Sequence, residues 1–166
     1  MTNLDRFLDA QADVHAGYAT ALAELRRGRK QSHWIWYIFP QLAGLGRSDT
    51  ARRFALEDLE QATAYLADPV LGARLLQAAE VVLAQVTPPK SVPLVDLMGG
   101  QIDAVKLVSS LTLFGLVAVD SSGDPFPSRR TQLAQVCQSV SGGRSGAGLP
   151  GLHVHGTGAA GKPLMG

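Results

Sequence analysis

Apolar residues recur along the first part of the chain at close to the helical period: Leu4, Phe7, Leu8, Val14, Tyr18, Leu22 and Leu25. This pattern predicts an amphipathic helical start. Thr2 is placed to cap it, with Asp5 three residues on in the position of a capping-box acid. Gly17 predicts two helices, or one broken near Asp13, ending before Gly28. Arg26 and Arg27 then fall in the last turn, where positive charge suits the negative end of the helix dipole.

Residues 32–41 follow, reading Ser-His-Trp-Ile-Trp-Tyr-Ile-Phe-Pro-Gln and carrying both tryptophans. An unbroken apolar run has no period to read, and its aromatic and β-branched content leans to strand. Ser32 as an N-cap and Pro40 as a stop argue instead for a short buried helix, which is the reading taken. Residues 44–47 form a tight loop, and Ser48 caps a helix from Asp49 that carries Phe54 and Leu56. Another helix holds Leu59, Ala62, Tyr65 and Leu66. Asp68-Pro69 starts a helix that runs to about Gln85, and Thr87-Pro88-Pro89 stops it. After a proline-broken linker and Gly99-Gly100, residues 103–118 make the last clear helix. Ala104, Leu107, Val108, Leu111, Phe114 and Ala118 keep its period, and Val105, Leu113, Leu116 and Val117 lie on its other sides. A helix apolar nearly all round is expected to be buried.

Beyond Asp120 the pattern changes. Ten of the 18 glycines lie from Gly123 onward, and only residues 131–140 have helical character. The expected fold is therefore mainly α, a compact multi-helix single domain over residues 1–120, followed by a largely disordered Gly-rich tail over 121–166. Residues 141–166 in particular lack the apolar surface to offset their ordering entropy.

Composition narrows the function classes. At 166 residues and 46% hydrophobic content there is material for one core and too little for two. The net charge of +1 hides a division: residues 1–120 carry 11 Lys/Arg against 13 Asp/Glu, and residues 121–166 carry 4 against 1. A slightly acidic body shows no commitment to nucleic acid or to an acidic membrane surface. The lone Cys137 has no intramolecular partner, an acid stands where a signal peptide has its basic region, and no apolar run approaches the roughly 20 residues that span a bilayer. The expected setting is the cytoplasm.

Phosphate loops, dinucleotide fingerprints, zinc spacings and nucleophile elbows are all absent, so neither a metal nor a cofactor is expected. His153 and His155 would hold a metal only in an ordered tail. His33 beside the tryptophans is a candidate titrating residue, set against the plainer reading of a core histidine bonded to a carbonyl. Trp34 and Trp36 suit stacking on a base or sugar, although an aromatic stripe is more often core. In the last helix, Lys106 stands among apolar residues with Asp103, Ser109 and Ser110 on the same side and Thr112 adjacent. The plain account is an ion pair with Asp103 at spacing three and serines bonded back to carbonyls one turn earlier. The functional account is a cleft for a phosphate or carboxylate. Arg26, Arg27, Arg29 and Lys30 are the basic cluster ahead of the aromatic run, a pairing that suits single-stranded nucleic acid but meets the domain's net acidity.

Three stretches resemble a known family: residues 28–41 with 44–48; residues 64–66 with 68–72 and Arg74-Leu75; and Asp103 with Lys106-Leu107 and residues 109–114. Together they are similar to the domain-of-unknown-function 1810 family of bacterial proteins, some of which carry the label calpastatin-like. The resemblance covers residues 4–118. It implies a mainly helical cytoplasmic domain without an established activity, favours helix for the aromatic run, and brings no catalytic residues. It also implies a further phenylalanine- and leucine-bearing helix, an aromatic-glycine turn and a leucine-rich end. Residues 120–166 look like a replacement of that part, which would leave some core exposed.

Two functional readings follow. In the first, Lys106, Ser109, Ser110 and Arg47, with Trp36 and Gln41, bind a small anionic metabolite, nucleotide-like or phosphorylated, between the 32–41 segment and the last helix, with His33 as the catalytic candidate. In the second, the domain is a non-catalytic protein interaction module acting through an exposed helix face. RNA binding through residues 26–30 is a weaker third.

Overall fold

The computed structural model describes residues 3–120 and 127–142. Its described residues form nine helices and no strand: α1 (Asp5–Gln11), α2 (Tyr18–Arg26), α3 (Ile35–Ile38), α4 (Asp49–Arg53), α5 (Leu59–Ala67), α6 (Leu71–Val86), α7 (Leu94–Leu97), α8 (Gln101–Asp120) and α9 (Pro127–Gly142). The fold is mainly α, as the periodicity predicts.

The break in the N-terminal pattern falls between Asp13 and Gly17. The Asp13 carboxylate accepts the amides of His15 and Ala16 at 2.8 and 2.7 Å. A Cβ on Gly17 would lie 2.1 Å from the Asp13 carbonyl oxygen, so only glycine fits that turn. Before α1 the Asp5 amide is received by Asn3 Oδ1, and the expected cap Thr2 lies outside the described residues. Side-chain caps set the later starts. Ser48 accepts the Ala51 amide at α4 and Asp58 the Gln61 amide at α5. Asp68 ends α5 and accepts the amides of Val70 and Leu71 as α6 begins. α4 is shorter than its pattern suggests. Phe54 is already its C-cap, and Leu56 forms an isolated parallel bridge with Leu42.

The aromatic run contains a single helical turn, α3. Ser32 does not cap it; the N-cap position is Trp34, without a side-chain bond, because the Ser32 hydroxyl is donated to Glu24. Five rings connect the elements through the core. Phe114 on α8 stands 5.4 Å from Tyr65, Tyr65 meets Phe7 edge-on at 5.1 Å, Phe7 is 6.0 Å from Phe54, and Phe54 is 5.0 Å from Tyr37. Each such ring, fully buried, contributes on the order of 2–3 kcal/mol of transfer free energy. At the end of α2, Gln85 of α6 donates to the carbonyls of Leu25, which also accepts the Gly28 amide, and Arg26, tying α6 to the last turn of α2.

Two expectations about the C-terminal half need correction. α8 is buried on one side only: Ala104, Leu107, Leu111, Phe114 and Ala118 pack inward, while Ile102, Val105, Leu116 and Val119 are exposed. All-round apolarity here reflects two faces, of which the fold covers one. By length and composition α8 is also the one described helix able to cross a membrane, although its inner side packs against α5, α7 and α9. Second, the packed body does not end at residue 120. α9 lies on α6 and α8 and buries Leu133, Val136, Cys137 and Val140, with Cys137 Cβ 3.2 Å from where a Cβ on Gly115 would stand. An exposed core on that side is therefore not found. The expected disorder of residues 143–166 lies outside the described residues.

Candidate functional site

Between α2 and α3 the chain is held by a buried carboxylate that reads from sequence as an ordinary helix-face acid. Glu24 accepts the amides of Gln31 (2.8 Å) and Ser32 (3.0 Å), the Ser32 hydroxyl (2.5 Å) and the Trp34 indole N–H (2.8 Å). Burial alone would raise its pKa, but the bonds from Ser32, Gln31 and Trp34 outweigh that and bring it down to about 2. Glu24 is thus a knot, ionised well below the usual carboxylate range, that fixes residues 31–34. Among the candidates named from sequence it was missed. The one available signal was an acid on the apolar side of α2, beside Leu25.

Lys30 adjoins this knot. Its amide donates to the Leu97 carbonyl at 2.7 Å. Gly99, at φ +73°, lets the α7–α8 turn come close, since a Cβ there would sit 3.0 Å from the Lys30 carbonyl oxygen. The Lys30 ammonium is buried, bonded to the Ser32 carbonyl at 2.6 Å and to Asp103 Oδ2 at 2.8 Å, with the Trp34 ring 5.1 Å away. Lys30 is therefore taken out of the basic cluster that suggested RNA binding, leaving Arg26, Arg27 and Arg29 exposed.

The other oxygen of Asp103 faces Lys106 at 3.5 Å, so the expected pair at spacing three is present, but loosely. The Lys106 ammonium lies 4.7 Å from the centre of the Trp36 ring, and its side chain remains 22% exposed. One turn on, Ser110 is fully buried. Among the described residues its hydroxyl has no hydrogen-bond partner, and neither does the buried Nε1 of Trp36. Thr112, by contrast, bonds back to the Val108 carbonyl. The 32–41 segment and α8 thus do come together, as a packed contact of Trp36 with Lys106.

The remaining candidates are dispersed. His33 is exposed, and only its carbonyl is used, by the Tyr37 hydroxyl. Arg47 is exposed in the loop before α4, where its carbonyl accepts from Arg52. Gln41 is half-buried, with its carbonyl bonded to the Leu56 amide. Ser109 is half-buried on α8. No hydrogen bond or ion pair among the described residues joins His33, Arg47 or Gln41 to Lys106. A hollow of about 480 Å³ lies elsewhere, between α6 and α9, lined by Leu76, Gln77, Glu80, Ser128, Arg129 and Gln132. Among the described residues no group of His, Cys, Asp and Glu is arranged to hold a metal; His153 and His155 lie outside them.

This architecture defines a helical domain with a tightly bonded polar knot and a half-satisfied polar patch beside it. The chain belongs to the family described as protein of unknown function (DUF1810), which matches residues 1–139. The match runs into α9, past the end of the resemblance read from the motifs. A solved structure similar to it is that of a conserved hypothetical protein of Mycobacterium tuberculosis, 35% identical, covering 86% of this chain and 89% of that one at a TM-score of 0.66. No curated protein matches the chain.

Proposed function

We propose that the patch made by Trp36, Lys106 and Ser110 binds a small anionic metabolite, phosphorylated or nucleotide-like, in the cytoplasm. The observation that carries this reading is the pair of buried donors, Trp36 Nε1 and Ser110 Oγ, that have no acceptor among the described residues. A buried polar group without a partner costs roughly 1–3 kcal/mol, and an incoming acceptor would recover it. Lys106 supplies a charge only loosely held by its own helix, since Asp103 gives its shorter contact to Lys30. A planar base or sugar would meet the Trp36 ring. Arg47, Gln41 and Ser109 have no established part in this arrangement, and exposed His33 gets no catalytic step from it; the reading is one of binding.

The test is thermal unfolding and tryptophan fluorescence of the full chain with inorganic phosphate and with adenosine monophosphate. A ligand of the native state raises the melting temperature in proportion to the logarithm of its concentration. We expect that rise, a change in tryptophan emission, and loss of both in Lys106→Met. No rise with either compound at millimolar concentration removes the reading.

A further inference from the structure

The outer face of α8 carries a second feature, independent of the anion patch. Ile102, Val105, Leu116 and Val119 are 74%, 52%, 66% and 79% exposed. With Ser109 and Thr112 between them they follow one another at spacings of three, four, three, four and three. That is the a/d spacing of a coiled-coil seam, sustained over the length of the helix and turned away from the core. The other exposed large apolar residues, Val14, Leu45, Leu59, Val70 and Val95, are single residues on separate segments and need no partner.

The seam is also symmetric end to end. Ile102 and Val119 are equally far from its midpoint, as are Val105 and Leu116, and Ser109 and Thr112. A surface that meets a copy of itself across a two-fold axis must be self-complementary, with residue i on j and j on i. Two α8 helices laid antiparallel satisfy that condition at every layer: Ile102 on Val119, Val105 on Leu116, and Ser109 on Thr112. The Thr112 hydroxyl donates to its own Val108 carbonyl and keeps a lone pair for the Ser109 hydroxyl of the second copy. A polar layer at the centre of an apolar seam sets register. The four apolar residues expose on the order of 450 Å² per copy, so pairing removes at most on the order of 900 Å², the size of a weak, reversible contact. We propose that this chain forms a two-fold dimer through antiparallel α8 helices.

Sedimentation of the full chain from low micromolar to millimolar concentration tests this. We expect a reversible dimer, and dimerisation at least a hundredfold weaker in Leu116→Lys and in Val105→Lys, each of which puts a charge into the seam. Because both sites are exposed in the single chain, melting at low concentration stays unchanged. Register is read by disulfide trapping. Val105→Cys mixed with Leu116→Cys should give a mixed disulfide, whereas Val105→Cys alone should not, because its two copies stand about 16 Å apart. Buried Cys137, its thiol pushed up to about 12 by burial, does not compete. A monomer at all concentrations, a dimer untouched by both lysine variants, or self-crosslinking of Val105→Cys overturns the proposal.

Discussion

Glu24 and Asp103 both hold the segment that leads into the aromatic turn, yet they do so in different ways. Glu24 takes four neutral donors from that segment and is saturated by them. Asp103 takes two ammonium groups, one tightly and one loosely; the loose one lies over the Trp36 ring, whose Nε1, like the Ser110 hydroxyl one helix turn on from Lys106, has no acceptor among the described residues. The contrast teaches how to sort buried polar residues. A set whose bonds are complete specifies the fold, while a set with bonds left over is where a ligand would add stability.

The largest expected effect tests the shared carboxylate. Asp103→Ala leaves the buried Lys30 ammonium without its ion pair, and we expect a loss of about 3 kcal/mol or more in chemical denaturation. A loss below about 1 kcal/mol would mean that the Ser32 carbonyl and the Trp34 ring suffice for Lys30, and the two regions would then not differ as described.

Glu24→Gln comes next, with an expected loss of roughly 2 kcal/mol, since bonds to a charged acceptor are worth more than those to an amide. The sign of its pH dependence is fixed by the depressed folded-state pKa, about 2 against an ordinary 4.5. Stability from this group is fully present above about pH 4.5 and is lost as pH falls toward 2. Glu24→Gln should flatten that part of the stability profile; an unchanged acid limb would show that other carboxylates carry it. The smallest effect sharpens the other side of the comparison. Ser110→Ala removes a buried hydroxyl that has no partner, so ligand-free stability should stay level or rise by about 1 kcal/mol. A clear loss would reveal a partner and weaken the case for the patch.

Much of this was legible in the chain. The break at Asp13, the cap at Ser48, the helix start at Asp68 and the inner face of α8 each follow from local chemistry: a side chain that reaches its own backbone, or an apolar period. The motifs around residues 28–48, 64–75 and 103–114 were enough to identify the family. In the candidate site, the Lys106–Asp103 pair was readable because both residues lie on one helix turn. Glu24 and Lys30 were not, because each is explained only by groups brought from elsewhere, the 31–34 segment for one and α8 for the other. The same holds for α9, whose weak local pattern gave no sign of how much it buries.

The amino-acid order alone therefore determined that the chain is built of helices, where some of them begin, as at Ser48, and which side chains share a face, because those depend on neighbours within a few residues. Tertiary structure decided which of the two apolar faces of α8 is covered and which buried polar groups find partners. Burial and hydrogen bonding across the fold join residues distant in the chain, and no local spacing encodes which of them will meet.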